Sequence, residues 1–325
     1  MSASSPIGQD VDRAASILRC GGLVAMPTET VYGLAANAFD PTAVAKIFEA
    51  KQRPTFDPLI VHIADQDQLA MLVQGIPARY QILMETFWPG PLTLLFEKTA
   101  EVADLVTSGL PTVAVRMPDH SMALELIHKA GTPLAAPSAN PFGRTSPTTA
   151  DHVARQLGGK VDYILDAGPS RVGVESTILR ESGGRFEILR PGGITRERLE
   201  EVLGQEVVLI SSDESGTAIE APGQLKEHYA PRTPLVVAGE EDESGASQRR
   251  ALMTVGLEQQ QDRKGFTHIV NLSPAGDLVE AAAGFFAALH ELDRMGLDLI
   301  VVDRFPEEGL GIALNDRLGR AVHRD

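Results

Sequence analysis

One cysteine in 325 residues leaves Cys20 without a partner for an internal disulfide and removes any thiolate-based metal centre. Its place beside Gly21 and Gly22 reads as a packing position near a helix end rather than as a reactive thiol. No apolar run approaches the roughly 20 residues needed to cross a bilayer, so no membrane partner is expected. Met1 to Asp10 lacks the basic and apolar regions of a signal peptide, which predicts a cytoplasmic protein. Positive charge is also scarce. With 29 Lys and Arg against 44 Asp and Glu the net charge is −15, which argues against a free-standing nucleic-acid binder with a broad basic face. Residues 1–210 hold 18 basic against 24 acidic groups, a balance of −6, and the shorter remainder holds 11 against 20, so the cations concentrate in the first part.

What is present is ordinary globular composition, 43% hydrophobic and 22% charged, at a length that suggests two cores of about 150 residues each. Asp10 can cap a helix through Leu18 that stops at Gly21-Gly22, and Leu23 to Met26 then read as a buried strand ended by Pro27. Asp40-Pro41 starts a second helix, with Val44, Ile47 and Phe48 at helical spacing, that ends near Lys51. Strands are predicted at 59–63, 92–96, 112–116, 133–136, 162–166, 176–180, 185–189 and 206–210, with helices near 66–74, 78–86 and 119–130. This mixture predicts an open twisted α/β sheet over residues 1–210. Residues 211–233, rich in Ser, Gly, Pro and charge, read as a linker. Strands at 234–237, 268–270 and 299–302 around a helix at 278–294 predict a smaller Rossmann-like α/β domain over 234–325. Gly309-x-Gly311 lacks the third glycine and the βα turn of a dinucleotide site.

Four segments place polar or cationic residues beside strand ends and tight turns. Pro27-Thr28-Glu29-Thr30-Val31-Tyr32-Gly33-Leu34 directly follows the first strand, where open sheets bind ligands. Lys51-Gln52-Arg53-Pro54 sets two cations two residues apart, a spacing suited to adjacent phosphate oxygens and shared by many solvated pairs. Pro137-Ser138-Ala139-Asn140-Pro141 holds short polar side chains in a proline-bracketed turn. Val174-Glu175-Ser176-Thr177 precedes one strand and Leu189-Arg190-Pro191-Gly192-Gly193 follows another, offering backbone amides and a guanidinium to an anion. Taken singly, each has a bland alternative: a turn, a solvated pair, or, for His62 in its apolar strand, a core histidine.

In order and spacing, Lys51-x-Arg53, Pro58-Leu59-Ile60-Val61-His62, Trp88-Pro89-Gly90-Pro91-Leu92-Thr93, Arg116, Ser138-x-Asn140 and Glu175-Ser176-Thr177 resemble the threonylcarbamoyl-AMP synthase family, the YrdC-like proteins. His228-Tyr229-Ala230-Pro231 and the extra α/β domain resemble its long, two-domain form, and turn the linker into a possible active-site lid. The resemblance implies an enzyme that joins L-threonine, bicarbonate or carbon dioxide, and ATP with magnesium into threonylcarbamoyl-AMP. A downstream threonylcarbamoyl transferase complex would then modify tRNA. It implies that Thr30, His62, Arg116 and Ala136 contact threonine, and that Arg53, Asp57, Thr112, Ser138, Asn140, Ser146, Ser176, Arg190 and Tyr229 line the nucleotide. Lys51 and Arg53 are the candidate catalytic cations.

Attack of a carbamate on the α-phosphorus brings one anion toward another, so cations are what the chemistry needs. Arg116 at the end of its strand suits a two-pronged bond to an amino-acid carboxylate. Neither a nucleophile nor a metal-binding cluster is evident, consistent with direct attack by substrate and with magnesium held mainly by ATP phosphates. Where family members carry a neutral polar residue before Pro-Leu, this chain has Asp57, whose charge would face base, ribose or magnesium. Two other readings compete. A hydrogenase maturation factor shares the domain but brings paired-cysteine zinc motifs that one cysteine cannot supply. A non-catalytic RNA-binding module with the same cleft would need a continuous basic face.

Overall fold

The computed structural model describes residues 5–210, 220–225, 228–240, 249–256 and 265–322. Both of the first two helices start where the sequence places a cap. In α1 (Val11–Arg19) the Asp10 carboxylate accepts the Arg13 amide. In α2 (Pro41–Lys51) Asp40 accepts the amides of Thr42 and Ala43, with Pro41 in the first turn.

Eleven strands among the described residues form one open mixed sheet. In chain order they are β1 (Ile7–Gly8), β2 (Val24–Met26), β3 (Gly33–Asn37), β4 (Ile60–His62), β5 (Leu92–Glu97), β6 (Thr112–Arg116), β7 (Leu134–Ala135), β8 (Tyr163–Leu165), β9 (Thr177–Ser182), β10 (Arg185–Arg190) and β11 (Val207–Leu209). Their spatial order is β1-β8-β2-β3-β7-β4-β6-β5-β9-β10-β11. Val61, Val113, Val115, Leu94 and Leu179 point to one face, where they join α2, α3 (Gln66–Leu72), α4 (Ala78–Phe87) and α7 (Ala150–Leu157) in the main core. On the opposite face α1 and α6 (Ser121–Ala130) cover only the β2–β3–β7–β8 end. Among the described residues no helix covers the rest of that face. It presents an apolar strip of Ile60, Ala114, Leu95, Ile178 and Leu189, covered by Ala221 of the linker. Alternation along a strand fixes what flanks the strip: Ile60 and His62 share a face, as do Thr112, Ala114 and Arg116, and His62 stands opposite Arg116 in the ladder.

The smaller sheet is parallel throughout, ordered β12-β15-β13-β14 from β12 (Leu235–Val237), β13 (Arg250–Thr254), β14 (His268–Asn271) and β15 (Leu299–Val302). Helices α9 (Leu278–Leu292) and α10 (Leu310–Ala321) close its core around Phe285, Phe286 and Phe305. Val31, Val174 and Tyr229 from outside this domain belong to the same cluster, so the two domains meet across shared apolar surface. Gly173, at φ +77°, lets α9 approach so closely that a Cβ there would lie 2.2 Å from the Ala282 carbonyl oxygen.

The sequence reading missed several elements. The segment read as a possible turn ends at Leu34 and residues 35–37 carry no predicted element, yet Gly-Leu-Ala-Ala-Asn over 33–37 forms β3, because antiparallel pairing with β2 and β7 supplies what the residues' own β-propensity lacks. The reading also left out β1, α5 (Asp104–Thr107), α7, α8 (Arg196–Leu203), β13 and α10. Helix α10 begins at Gly309 with no side-chain cap, which removes the usual start signal. Cys20 is exposed at the C-cap of α1 instead of packed, since the helix ends before its side chain reaches the core. Part of the predicted lid, residues 211–219 and 226–227, lies outside the described residues.

Candidate active site

The bare end of the sheet face, the Thr28–Leu34 loop, the 137–140 turn and the linker converge on one cavity. Arg116 enters from the end of β6, 3% exposed. Its Nη1 donates to Thr30 Oγ1 at 2.9 Å and its Nη2 to Glu29 Oε2 at 2.5 Å. Thr30 is itself held by the Thr28 hydroxyl, which also donates to the Val31 carbonyl at 2.6 Å. Three buried polar atoms remain without a hydrogen-bond partner here: Arg116 Nε, Glu29 Oε1 and His62 Nδ1. Buried polar groups are normally satisfied, so this concentration marks a place prepared for polar ligand atoms. Burial first, then the charge of Arg116, pushes His62 down to about 3, leaving it a neutral imidazole.

The opposite wall is cationic. Arg190 lines the cavity and is anchored on the Ser176 carbonyl by Nε and Nη2, with Nη2 also donating to Ser176 Oγ at 3.1 Å. Arg53 lines it too, with Nε on the Asp57 carbonyl and Nη2 on the Pro58 carbonyl. Desolvation works against the charge of both guanidiniums. A bound polyanion would relieve that penalty, which is the condition that favours phosphate binding. Ala136, Ser138, Ser176 and Tyr229 complete the wall.

The structure thus brings Thr30, His62, Arg116, Ala136, Arg53, Ser138, Ser176, Arg190 and Tyr229 around one space. Lys51, Asp57, Thr112, Asn140 and Ser146 lie elsewhere. Lys51 does not share the cavity with Arg53. Gln52 takes the left-handed conformation, φ 55°, and turns the chain there. The Lys51 ammonium goes instead to the carbonyls of Ser138 (2.6 Å) and Asn140 (2.5 Å), beneath the turn that carries Ser138. Burial, then repulsion from Arg53, pushes its pKa well down. Asn140 is fully buried and donates to the Arg144 carbonyl.

Asp57 is fully buried, its Oδ2 2.9 Å from Arg53 Nη2. Neither carboxylate oxygen has an aligned hydrogen bond, so the contact is charge–charge. Burial raises the Asp57 carboxyl and the Arg53 charge opposes that rise. Its negative charge is the counter-ion of Arg53, away from the cavity surface. Ser146 donates to Glu175 Oε1 at 2.5 Å. Thr112 opens on a second groove of about 890 Å³ at the far end of the same apolar strip.

The sequence suggests that the Pro191-Gly192-Gly193 turn offers its amides to an anion. The Gly193 amide instead donates to the Glu175 carbonyl at 3.0 Å, and a Cβ on Gly192 would lie 2.2 Å from that oxygen, so these glycines permit close backbone approach. Sequence reasoning also gave no role to Glu29, which lay within a quoted segment, or to Arg317, for which no local signal existed.

With the linker in place the free space is only about 50 Å³, room for a few waters and not for a nucleotide. Ala221, Pro222 and Gly223 occupy the ground between the cavity and the apolar strip. Tyr229, at φ 68°, is held in that uncommon conformation by the Ala230 amide on the Gly143 carbonyl and by Thr145 Oγ1 on its own carbonyl.

Comparison with known proteins identifies the family. The family described as telomere recombination matches residues 16–192, and that described as the threonylcarbamoyl-AMP synthase C-terminal domain matches 194–322. The threonylcarbamoyl-AMP synthase of Pyrococcus abyssi is 43% identical over 318 residues, covering 95% of this chain and 92% of the relative. That of Bacillus subtilis is 42% identical over 326 residues, covering 96% and 92%. The crystal structure of P. abyssi Sua5 complexed with L-threonine matches over 99% of both chains at 38% identity, with a TM-score of 0.87. The chain belongs to the threonylcarbamoyl-AMP synthase family, in the long form that carries the additional C-terminal domain.

Proposed function

We propose that this chain is an L-threonylcarbamoyladenylate synthase, converting L-threonine, bicarbonate and ATP into threonylcarbamoyl-AMP, pyrophosphate and water. The observation that carries the reading is the meeting, in one cavity, of a guanidinium braced for a carboxylate (Arg116) with two others facing a polyanion site (Arg53 and Arg190).

In this reading Arg116 grips the threonine carboxylate, a charged two-pronged bond that contributes about 1.5–3 kcal/mol. Thr30 and neutral His62 supply the polar partners that tell the threonine hydroxyl from a methyl group, a discrimination that works because an isostere leaves them unpaired. The threonine amine takes up the one-carbon unit with loss of water, and a carbamate oxygen then attacks the α-phosphorus, displacing pyrophosphate. Arg53 and Arg190 lower the repulsion between the two anions. The nucleotide extends from them over the apolar strip toward Thr112, which requires the Ala221–Gly223 segment to lift; the linker then closes with Tyr229 to keep water from the adenylate.

Magnesium would arrive on the phosphates, supplying charge neutralisation. Among the described residues no cluster of three or more His, Cys, Asp or Glu is arranged to hold a metal. The product suits consumption by a threonylcarbamoyl transferase complex acting on tRNA in the cytoplasm, and no described helix is long and apolar enough to cross a membrane.

The test is to supply the pure protein with ATP, magnesium, bicarbonate and either threonine or valine, measuring pyrophosphate and identifying the adenylate by mass spectrometry. Threonine-dependent product that vanishes when bicarbonate is depleted is the expected result. Binding of ATP and threonine without product would refute it and leave a binding or regulatory protein, with retained RNA affinity as the mark of a non-catalytic RNA-binding module.

A further inference from the structure

Arg317 projects from α10 of the C-terminal domain and has no exposed surface at all. Its Nε donates to Glu175 Oε2 at 2.8 Å, its Nη1 to Asp316 Oδ2 at 2.6 Å, and its guanidinium carbon lies 5.2 Å from the centroid of the Tyr229 ring. Glu175 lines the cavity and with its other oxygen accepts the Ser146 hydroxyl. Tyr229 also lines it, and a Cβ built on Gly223 would meet the Tyr229 hydroxyl at 2.8 Å and Arg190 Cδ at 3.1 Å, so linker turn, phenol and Arg190 crowd one corner. One side chain of the second domain therefore touches two parts of the cavity wall, the 174–177 segment and the linker tyrosine.

A purely adhesive ion pair would explain the bond to Glu175 alone. It would not explain why the same guanidinium faces the aromatic ring, nor why the carboxylate it pairs with lines the cavity. A buried arginine brings a large desolvation cost. Here Nε and Nη1 are each bonded to a carboxylate while Nη2 has no hydrogen-bond partner, so the fork sits beside Glu175, Asp316 and the Tyr229 ring without being fully satisfied.

We propose that Arg317 is a positioning residue for the ATP half of the reaction, by which the C-terminal domain sets Glu175 and Tyr229 for nucleotide binding. This rests on the proposed synthase activity. Threonine-side residues Thr30, His62 and Arg116 make no hydrogen bond to α10, so the effect is confined to one substrate.

The experiment is steady-state pyrophosphate release by the full-length protein and by Arg317→Met, Arg317→Lys and Glu175→Gln, with ATP and threonine varied separately and thermal midpoints recorded. Arg317→Met is expected to raise KM for ATP by about tenfold or more, the loss of a charged hydrogen bond, with KM for threonine within about twofold. Arg317→Lys keeps the cation but loses the fork, and should fall between Arg317→Met and the wild type; it decides the matter by the same split if Arg317→Met does not fold. Glu175→Gln should reproduce the ATP-selective rise. Equal rises in both KM values, or a lowered thermal midpoint with both KM values unchanged, would overturn the proposal and leave Arg317 as interdomain adhesion. A wild type that makes no adenylate would refute the synthase reading itself, a result distinct from variants that match an active wild type.

Discussion

The stacked rings of His152 on α7 and His290 on α9 join the two domains at a centroid separation of 3.9 Å, and they make interdomain stability depend on pH with a definite sign. Burial, then the neighbouring His290, holds His152 down at about 3; burial holds His290 down at about 4, and both have an ordinary value of 6.5. Arg155 and Arg294 disfavour charge on the pair, while Asp293 favours it on His290. Thr148 donates its amide to His152 Nδ1 at 3.3 Å, and His290 Nε2 contacts the Ser146 carbonyl at 3.1 Å. The folded values lie below the unfolded ones, so the unfolded chain takes up protons first. Stability is fully present above pH 6.5 and drains away as pH falls toward 4, at about 1.4 kcal/mol per pH unit for each ring. From pH 7 to pH 5 that is about 2 kcal/mol per ring; allowing for partial solvent access at His290, the pair contributes about 2–4 kcal/mol, or roughly 3–6 °C in thermal midpoint. The assay is the midpoint between pH 7 and 5 for wild type and for the double substitution His152→Gln with His290→Gln. His62, His120 and His228 are also held low, by burial above all, but they titrate equally in both proteins, so the difference isolates the pair. The expected result is a flatter curve for the variant. Parallel curves would refute the reasoning.

Three further perturbations test the site and its frame. Arg116→Lys keeps a cation beside Glu29 but removes the second prong, so KM for threonine should rise by about 10- to 100-fold with KM for ATP little changed; unchanged threonine affinity would dismiss the carboxylate clamp. Asp57→Asn strips Arg53 of its buried counter-charge, which should cost about 3–5 kcal/mol in the free protein and enlarge the ATP-induced rise in thermal midpoint, as phosphate replaces the lost carboxylate. A smaller rise than in wild type would mean that Asp57 itself serves the nucleotide. Gly173→Ala places a methyl group against the Ala282 carbonyl at positive φ, and should cost about 1–3 kcal/mol and increase proteolysis between the domains; a fully resistant variant would show that the contact is not needed.

What the sequence made legible follows from how far apart the interacting residues are. Asp10 and Asp40 cap helices within three residues of themselves, and the apolar strands at 59–63, 92–96 and 112–116 declare themselves by local composition, so their positions could be read directly. Strand β3 could not, because its pairing partners, not its own residues, make it a strand. Lys51 and Arg53 show the same limit inside the site. Their spacing suggested a joint grip on phosphate, but one left-handed residue, Gln52, sends Lys51 under the Ser138 turn and leaves Arg53 at the cavity. Arg317 is the extreme case, 142 residues from the carboxylate it holds, on a helix with no capping signal. A motif lists side chains that meet the ligand; the groups that aim them belong to whichever element happens to pass behind. In this chain that element is a second domain, and its guanidinium is as buried as any residue of the core. Cutting the chain at the linker would therefore not simply remove an appendage. It would expose Val31 and Val174, strip the backing from Tyr229, and leave Glu175 without its ion-pair partner beside two arginines buried against their own charge.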